Sequence, residues 1–75
     1  MKIDIIGANT KEGITLRNKL IELSNNINEK VTINLIYDKN IQQFPILYID
    51  GKLISKNKII RDKEIVKYMK KNYKE

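Results

Sequence analysis

Apolar and polar positions along the chain fall into two rhythms. Lys2-Ile3-Asp4-Ile5-Ile6 is a β-branched run closed by Gly7, the pattern of a strand. Ile3 and Ile5 share one face while Ile6 joins Asp4 on the other; apolar residues on both faces put this strand inside a sheet. A loop, Ala8-Asn9-Thr10-Lys11-Glu12-Gly13, follows, with Asn9 and Gly13 as local breakers. From Ile14 the period changes. Leu16, Leu20, Leu23 and Ile27 recur at helical spacing and Ile21 widens the stripe, opposite Arg17, Asn18, Glu22 and Asn25. This predicts an amphipathic helix of about three turns that frays through Ser24-Asn25-Asn26.

Val31, Ile33 and Leu35 then alternate with Thr32, Asn34 and Ile36, predicting a second strand that runs to about Tyr37. The stretch from Asp38 to Phe44 is short and mixed, with room for a single helical turn. Pro45 pushes Phe44 toward extended geometry, and Ile46-Leu47-Tyr48-Ile49 reads as a third strand. Asp50-Gly51 is the strongest hairpin signal in the chain, since both residues tolerate positive φ, and Lys52-Leu53-Ile54-Ser55 returns antiparallel. Asn57 ends or bends that fourth strand. From Asp62 to about Asn72 runs a second amphipathic helix, with Asp62 as N-cap or dipole partner and Glu64 in the first turn. Its stripe is Ile65, Val66 and Met69, extended by Tyr73, and Lys63, Lys67, Lys70, Lys71 and Lys74 gather elsewhere on it.

The order is thus β-α-β-(short turn or helix)-β-β-α. A helix-containing first connection suits a right-handed parallel crossover, and the hairpin adds antiparallel strands. The fold class is therefore α/β, a mixed four-stranded sheet with helices to cover it. At 75 residues the chain is one domain, spanning 1–75.

Composition narrows the chemistry. The chain has no cysteine, histidine or tryptophan, which removes disulfides, thiol redox, Cys/His zinc sites and every His-based catalytic arrangement. No apolar run approaches the roughly 20 residues of a membrane span, so a cytoplasmic protein is expected. Fifteen basic against nine acidic residues give a net charge of +6, which suggests nucleic acid or an acidic membrane as partners. Ile, Lys and Asn supply about half of the chain, however, so compositional bias accounts for the same excess. Only Arg17 and Arg61 offer bidentate forks. The four tyrosines (Tyr37, Tyr48, Tyr68 and Tyr73) form no RNA-binding aromatic signature, and Asp4, Asp38, Asp50 and Asp62 lack calcium-loop spacing.

The string Met1-Lys2-Ile3-Asp4-Ile5-Ile6-Gly7, the amphipathic helix, and Phe44-Pro45-Ile46-Leu47-Tyr48-Ile49-Asp50-Gly51-Lys52-Leu53 resemble the small thioredoxin-like or glutaredoxin-like proteins of bacteria and archaea. The stretch Pro45 to Gly51 carries the likeness furthest, and Arg61-Asp62-Lys63-Glu64-Ile65 resembles the family's entry into its last helix. The resemblance implies a thioredoxin-like fold with a cis-proline at residue 45. It also shows what has been lost: Thr10 and Gly13 stand where the family carries Cys-x-x-Cys, so thiol-disulfide exchange is excluded. Asn57 stands in place of a family glycine. The helix that normally precedes the proline is cut to Asn40-Ile41-Gln42-Gln43, leaving that side of the sheet thinly covered.

With redox chemistry excluded, what is expected is a binding module that uses the 9–13 loop and the 44–45 edge. In the family the residue before the cis-proline offers its N–H and C=O to an extended peptide, and Phe44 takes that position here. The expected ligand groove is formed by Asn9, Thr10, Lys11, Gly13, Phe44 and Pro45. Thr10 as a nucleophile lacks a base, and as an N-cap it needs none. The partner expected is another protein or an extended peptide, or a second copy of the chain, with no cofactor and no metal. The alternatives are a small basic nucleic-acid-binding protein, whose affinity falls steeply with salt, and a degenerate thioredoxin-like protein with a non-thiol activity.

Overall fold

The first strand, with apolar residues on both faces, is expected in the interior of a sheet and not at its edge. In the computed structural model, which describes residues 1–41, 43–56 and 58–73 (the last three through their backbone alone), that strand is central. The elements are β1 (Lys2–Ile6), α1 (Lys11–Asn26), β2 (Thr32–Ile36), β3 (Ile46–Ile49), β4 (Lys52–Ser55) and α2 (Asp62–Tyr73). They form a mixed four-stranded sheet in the order β2-β1-β3-β4. β1 runs parallel to β2, with Ile3 opposite Ile33 and Ile5 opposite Leu35, and antiparallel to β3, with Ile3 opposite Ile49 and Ile5 opposite Leu47.

One face of the sheet carries the core. Ile3, Ile5, Leu47 and Ile49 are fully buried and form one cluster with Leu16, Leu20 and Leu23 of α1 and Ile65 and Met69 of α2. Both helices therefore lie on the same side, where an ion pair between Lys19 and Asp62 (3.0 Å) joins them. On the other face, Asp4, Ile6, Ile46 and Tyr48 are half-buried, and Ile36 and Leu53 are 41% and 50% exposed. Neither described helix covers that face, and the loop after β2 brings Ile41 against Gly7.

The Asp50-Gly51 turn forms as expected, with φ of +50° and +82°. The Asp50 N–H donates to the Lys2 carbonyl (2.7 Å) and its carboxylate accepts from the Lys2 N–H (2.8 Å), which ties the hairpin to β1. Within the hairpin the register jumps: Leu47 faces Ser55 but Tyr48 faces Leu53, so Ile54 is an extra residue and β4 bends there.

Four expectations change. The first helix begins at Lys11 and not at Ile14, because Thr10 caps it and Gly13 lies inside its first turn. Ile27 is its C-cap, outside the helical stripe. Asp62 lies in the first turn of α2, so of its two expected roles the dipole partner stands and the N-cap does not; the Arg61 carbonyl accepts from the Glu64 and Ile65 amides, and the Asp62 carboxylate pairs with Lys19. The Phe44–Pro45 peptide is trans, since the described chain has no cis bond. The cis-proline implied by the family resemblance is therefore absent, in keeping with the ordinary trans preference of X-Pro bonds. The readings placed on Gln42, Asn57 and Lys74, and on the side chains of Lys71 and Tyr73, fall outside the described residues. Among the described residues no helix is long and apolar enough to cross a membrane.

Candidate functional site

At the start of α1 the chain leaves β1 through Gly7, whose φ of +89° turns it sharply. The Thr10 hydroxyl then works in both directions. It accepts from the Gly13 N–H (2.9 Å) and donates to the Gly7 carbonyl (2.8 Å), so it satisfies a helix-end donor and closes the turn with one buried side chain. Gly13 must be small, because a Cβ there would lie 2.5 Å from the Gly7 oxygen and 2.9 Å from Ala8 Cα. Asn9 is exposed, and its side-chain oxygen accepts from the Asp38 N–H at 3.4 Å, linking this turn to the loop after β2.

Around this turn lies a groove of about 210 Å³. One wall is the outer face of α1, where Lys11, Thr15 and Lys19 follow one another at i, i+4 spacing beside Glu12 and Leu16. Phe44 and Pro45 close one end, and Ser55, Lys58, Ile59 and Ile60 form the opposite wall. Buried Ser55 donates its hydroxyl to the Lys58 carbonyl (3.4 Å), which folds the link from β4 to α2 against the groove. The floor is apolar, and Ile59 leaves 68% of its surface in solvent although it gains nothing there by itself.

Charge around the groove is uneven. Lys11, Lys19 and Lys58 line it against Glu12 alone. Lys19 is engaged by Asp62, whereas Lys11 and Lys58 have no ion-pair partner among the described residues. At about 210 Å³ the space is below the roughly 300–1,000 Å³ typical of small-molecule pockets, so it fits one or two side chains better than a whole cofactor.

Of the six residues expected at the site, the structure brings Lys11, Phe44 and Pro45 together. Thr10 and Gly13 lie beneath, as builders of the helix start, and Asn9 faces away toward Asp38. Sequence reasoning missed Thr15, Leu16, Lys19 and the wall of Ser55, Lys58, Ile59 and Ile60. The spacing of Lys11, Thr15 and Lys19 was a readable signal for the first wall. The second wall had only one, the apolar pair Ile59-Ile60 outside any periodic segment. The lysines Lys63, Lys67 and Lys70 of α2 are exposed and take no part in lining the groove. Compared with family models, curated proteins and solved structures, the chain matches none.

Proposed function

We propose that the chain is a thioredoxin-like binding module without redox chemistry, and that its ligand is an extended segment of another protein. In that segment an apolar side chain is flanked by acidic ones. The scaffold reading is supported by the strand order β2-β1-β3-β4, the parallel first pair and the placement of both helices on one face. The trans bond before Pro45 departs from it, so the docking edge is argued from the sheet register and not from the resemblance. With no cysteine the chain has no thiolate for disulfide exchange.

The observation that carries the binding reading is the groove, an apolar floor with lysines on its rim. An apolar side chain entering it gains burial, and a neighbouring carboxylate meets Lys11 or Lys58. Register adds a main-chain element. Ile46 and Tyr48 are the β3 residues opposite Ile6 and Asp4, and Phe44, in the bend two residues before β3, would continue that edge once a partner strand drew it into extended geometry. There β1 has already turned away at Gly7, which leaves room for a strand of another chain to pair.

Titration of the isotope-labelled protein with a short extended peptide, Leu between glutamates, tests this. Saturable amide shifts at Lys11–Leu16, Phe44 and Lys58–Ile60 are expected, with weaker binding when lysines replace the glutamates. No shifts at millimolar peptide would overturn the reading. Tighter, salt-sensitive binding of single-stranded RNA on the Lys63–Lys67–Lys70 face would replace it with the nucleic-acid alternative.

A further inference from the structure

We infer that β2 is a self-pairing edge, and that two copies of the chain join through it, antiparallel and about a twofold axis at Asn34, into one continuous sheet. β2 is the last strand on its side of the described sheet. The Thr32 N–H donates to the Met1 carbonyl (2.9 Å) and the Ile36 carbonyl accepts from the Gly7 N–H (2.8 Å), so these residues aim their main chain at β1. By alternation Ile33 and Leu35 aim theirs outward.

Natural sheets blunt such edges with lysines, prolines or bulges, and Thr32-Ile33-Asn34-Leu35-Ile36-Tyr37 has none of these and no charge. Leu35 is 48% exposed and Tyr37 82%. Ile21 of α1 borders the same edge beside Val31 and Ile33, and is itself exposed.

The flanking charges choose the partner and the register. With the axis at Asn34, Ile33 lies opposite Leu35 of the second copy, and each such pair exchanges both N–H···O=C bonds. Carried two residues beyond each end of β2, the same register sets Lys30 opposite Asp38, a pair of opposite sign that the twofold axis repeats. Moving the axis to Leu35 sets Thr32 against Asp38 and Val31 against Lys39; moving it to Ile33 sets Lys30 against Ile36 and Glu29 against Tyr37. Neither shift pairs any charge. A strand whose ends complement its own reverse fits a second copy of itself.

Sedimentation across about 1 μM to about 1 mM, the span of weak to moderate affinities, is expected to show the mass rising from one chain to two. Leu35→Lys should weaken association at least tenfold. Lys30→Glu should weaken it, and combining Lys30→Glu with Asp38→Lys should restore it. Hydrogen exchange on the unmodified chain gives a second readout, independent of any variant's folding: protection of the Ile33 and Leu35 amides rises with concentration while that of Thr32 stays constant. A chain that stays monomeric throughout would sink the inference, as would a dimer indifferent to Leu35→Lys. Failure of the charge exchange to restore pairing overturns the Asn34 register.

Discussion

The Thr10 hydroxyl accepts from the Gly13 amide at 2.9 Å across the first turn of α1, so the cap depends on a hydroxyl at residue 10 and a close approach at residue 13. Thr10→Ala removes an N-cap and leaves the Gly13 donor unmet, at a cost of about 1 kcal/mol, whereas Thr10→Ser keeps both bonds. Gly13→Ala is the more informative change. Helix propensity alone favours alanine by about 1 kcal/mol. The 2.5 Å approach to the Gly7 oxygen is backbone against backbone and cannot yield cheaply, so overpacking of about 1–3 kcal/mol is expected to win. Urea unfolding should show a net loss; an unchanged or more stable Gly13→Ala protein would contradict the close approach.

The hairpin makes a similar separation. Gly51 has open space around it but a φ of +82°, so Gly51→Ala should cost about 1–2 kcal/mol through backbone strain alone. Asp50→Asn tolerates the positive φ and keeps a side-chain acceptor for Lys2, and is expected to stay within about 0.5 kcal/mol of the parent. Thermal melts of the two variants should therefore differ clearly.

Ile59 divides binding from stability. Its side chain is 68% exposed, so Ile59→Ser should leave the unfolding curve within about 0.5 kcal/mol. It should nevertheless weaken the acidic-apolar peptide several-fold, because the groove loses part of its apolar wall. Equal peptide affinity for the two proteins would remove Ile59 from the site.

Lys19 and Asp62 form an exposed pair, and such pairs contribute about 0–1 kcal/mol. Asp62→Asn is therefore expected to change stability little. It releases Lys19 toward the groove, so acidic peptide should bind more tightly at low salt, with the gain shrinking as salt screens it. Calorimetric titration at two ionic strengths reads both effects.

Much of the scaffold was legible in local pattern. The apolar residues on both faces of β1 gave its central place, and Asp50-Gly51 gave the hairpin, because each signal lies within a few adjacent residues. What escaped depends on distant parts of the chain. Gly13 reads as a breaker until the Gly7 carbonyl is known to press against it. The trans isomer at Pro45 follows the ordinary X-Pro preference, and the expectation of a cis bond came from the family resemblance and not from the residues. Asp62 is no cap because α2 already includes it, and the groove's second wall exists only once the β4–α2 link folds beside α1.

The central position of β1 also bears on how the molecule is made. β1 is synthesised before both of its neighbours, and it needs Ile33 and Leu35 on one side and Leu47 and Ile49 on the other. During translation it therefore leaves the ribosome with every hydrogen-bonding partner still unmade, and the sheet closes only after β3 has emerged. A chaperone that holds nascent β1 would guard this interval, and slowing elongation between β1 and β3 would lengthen the exposure of Ile3 and Ile5 to water.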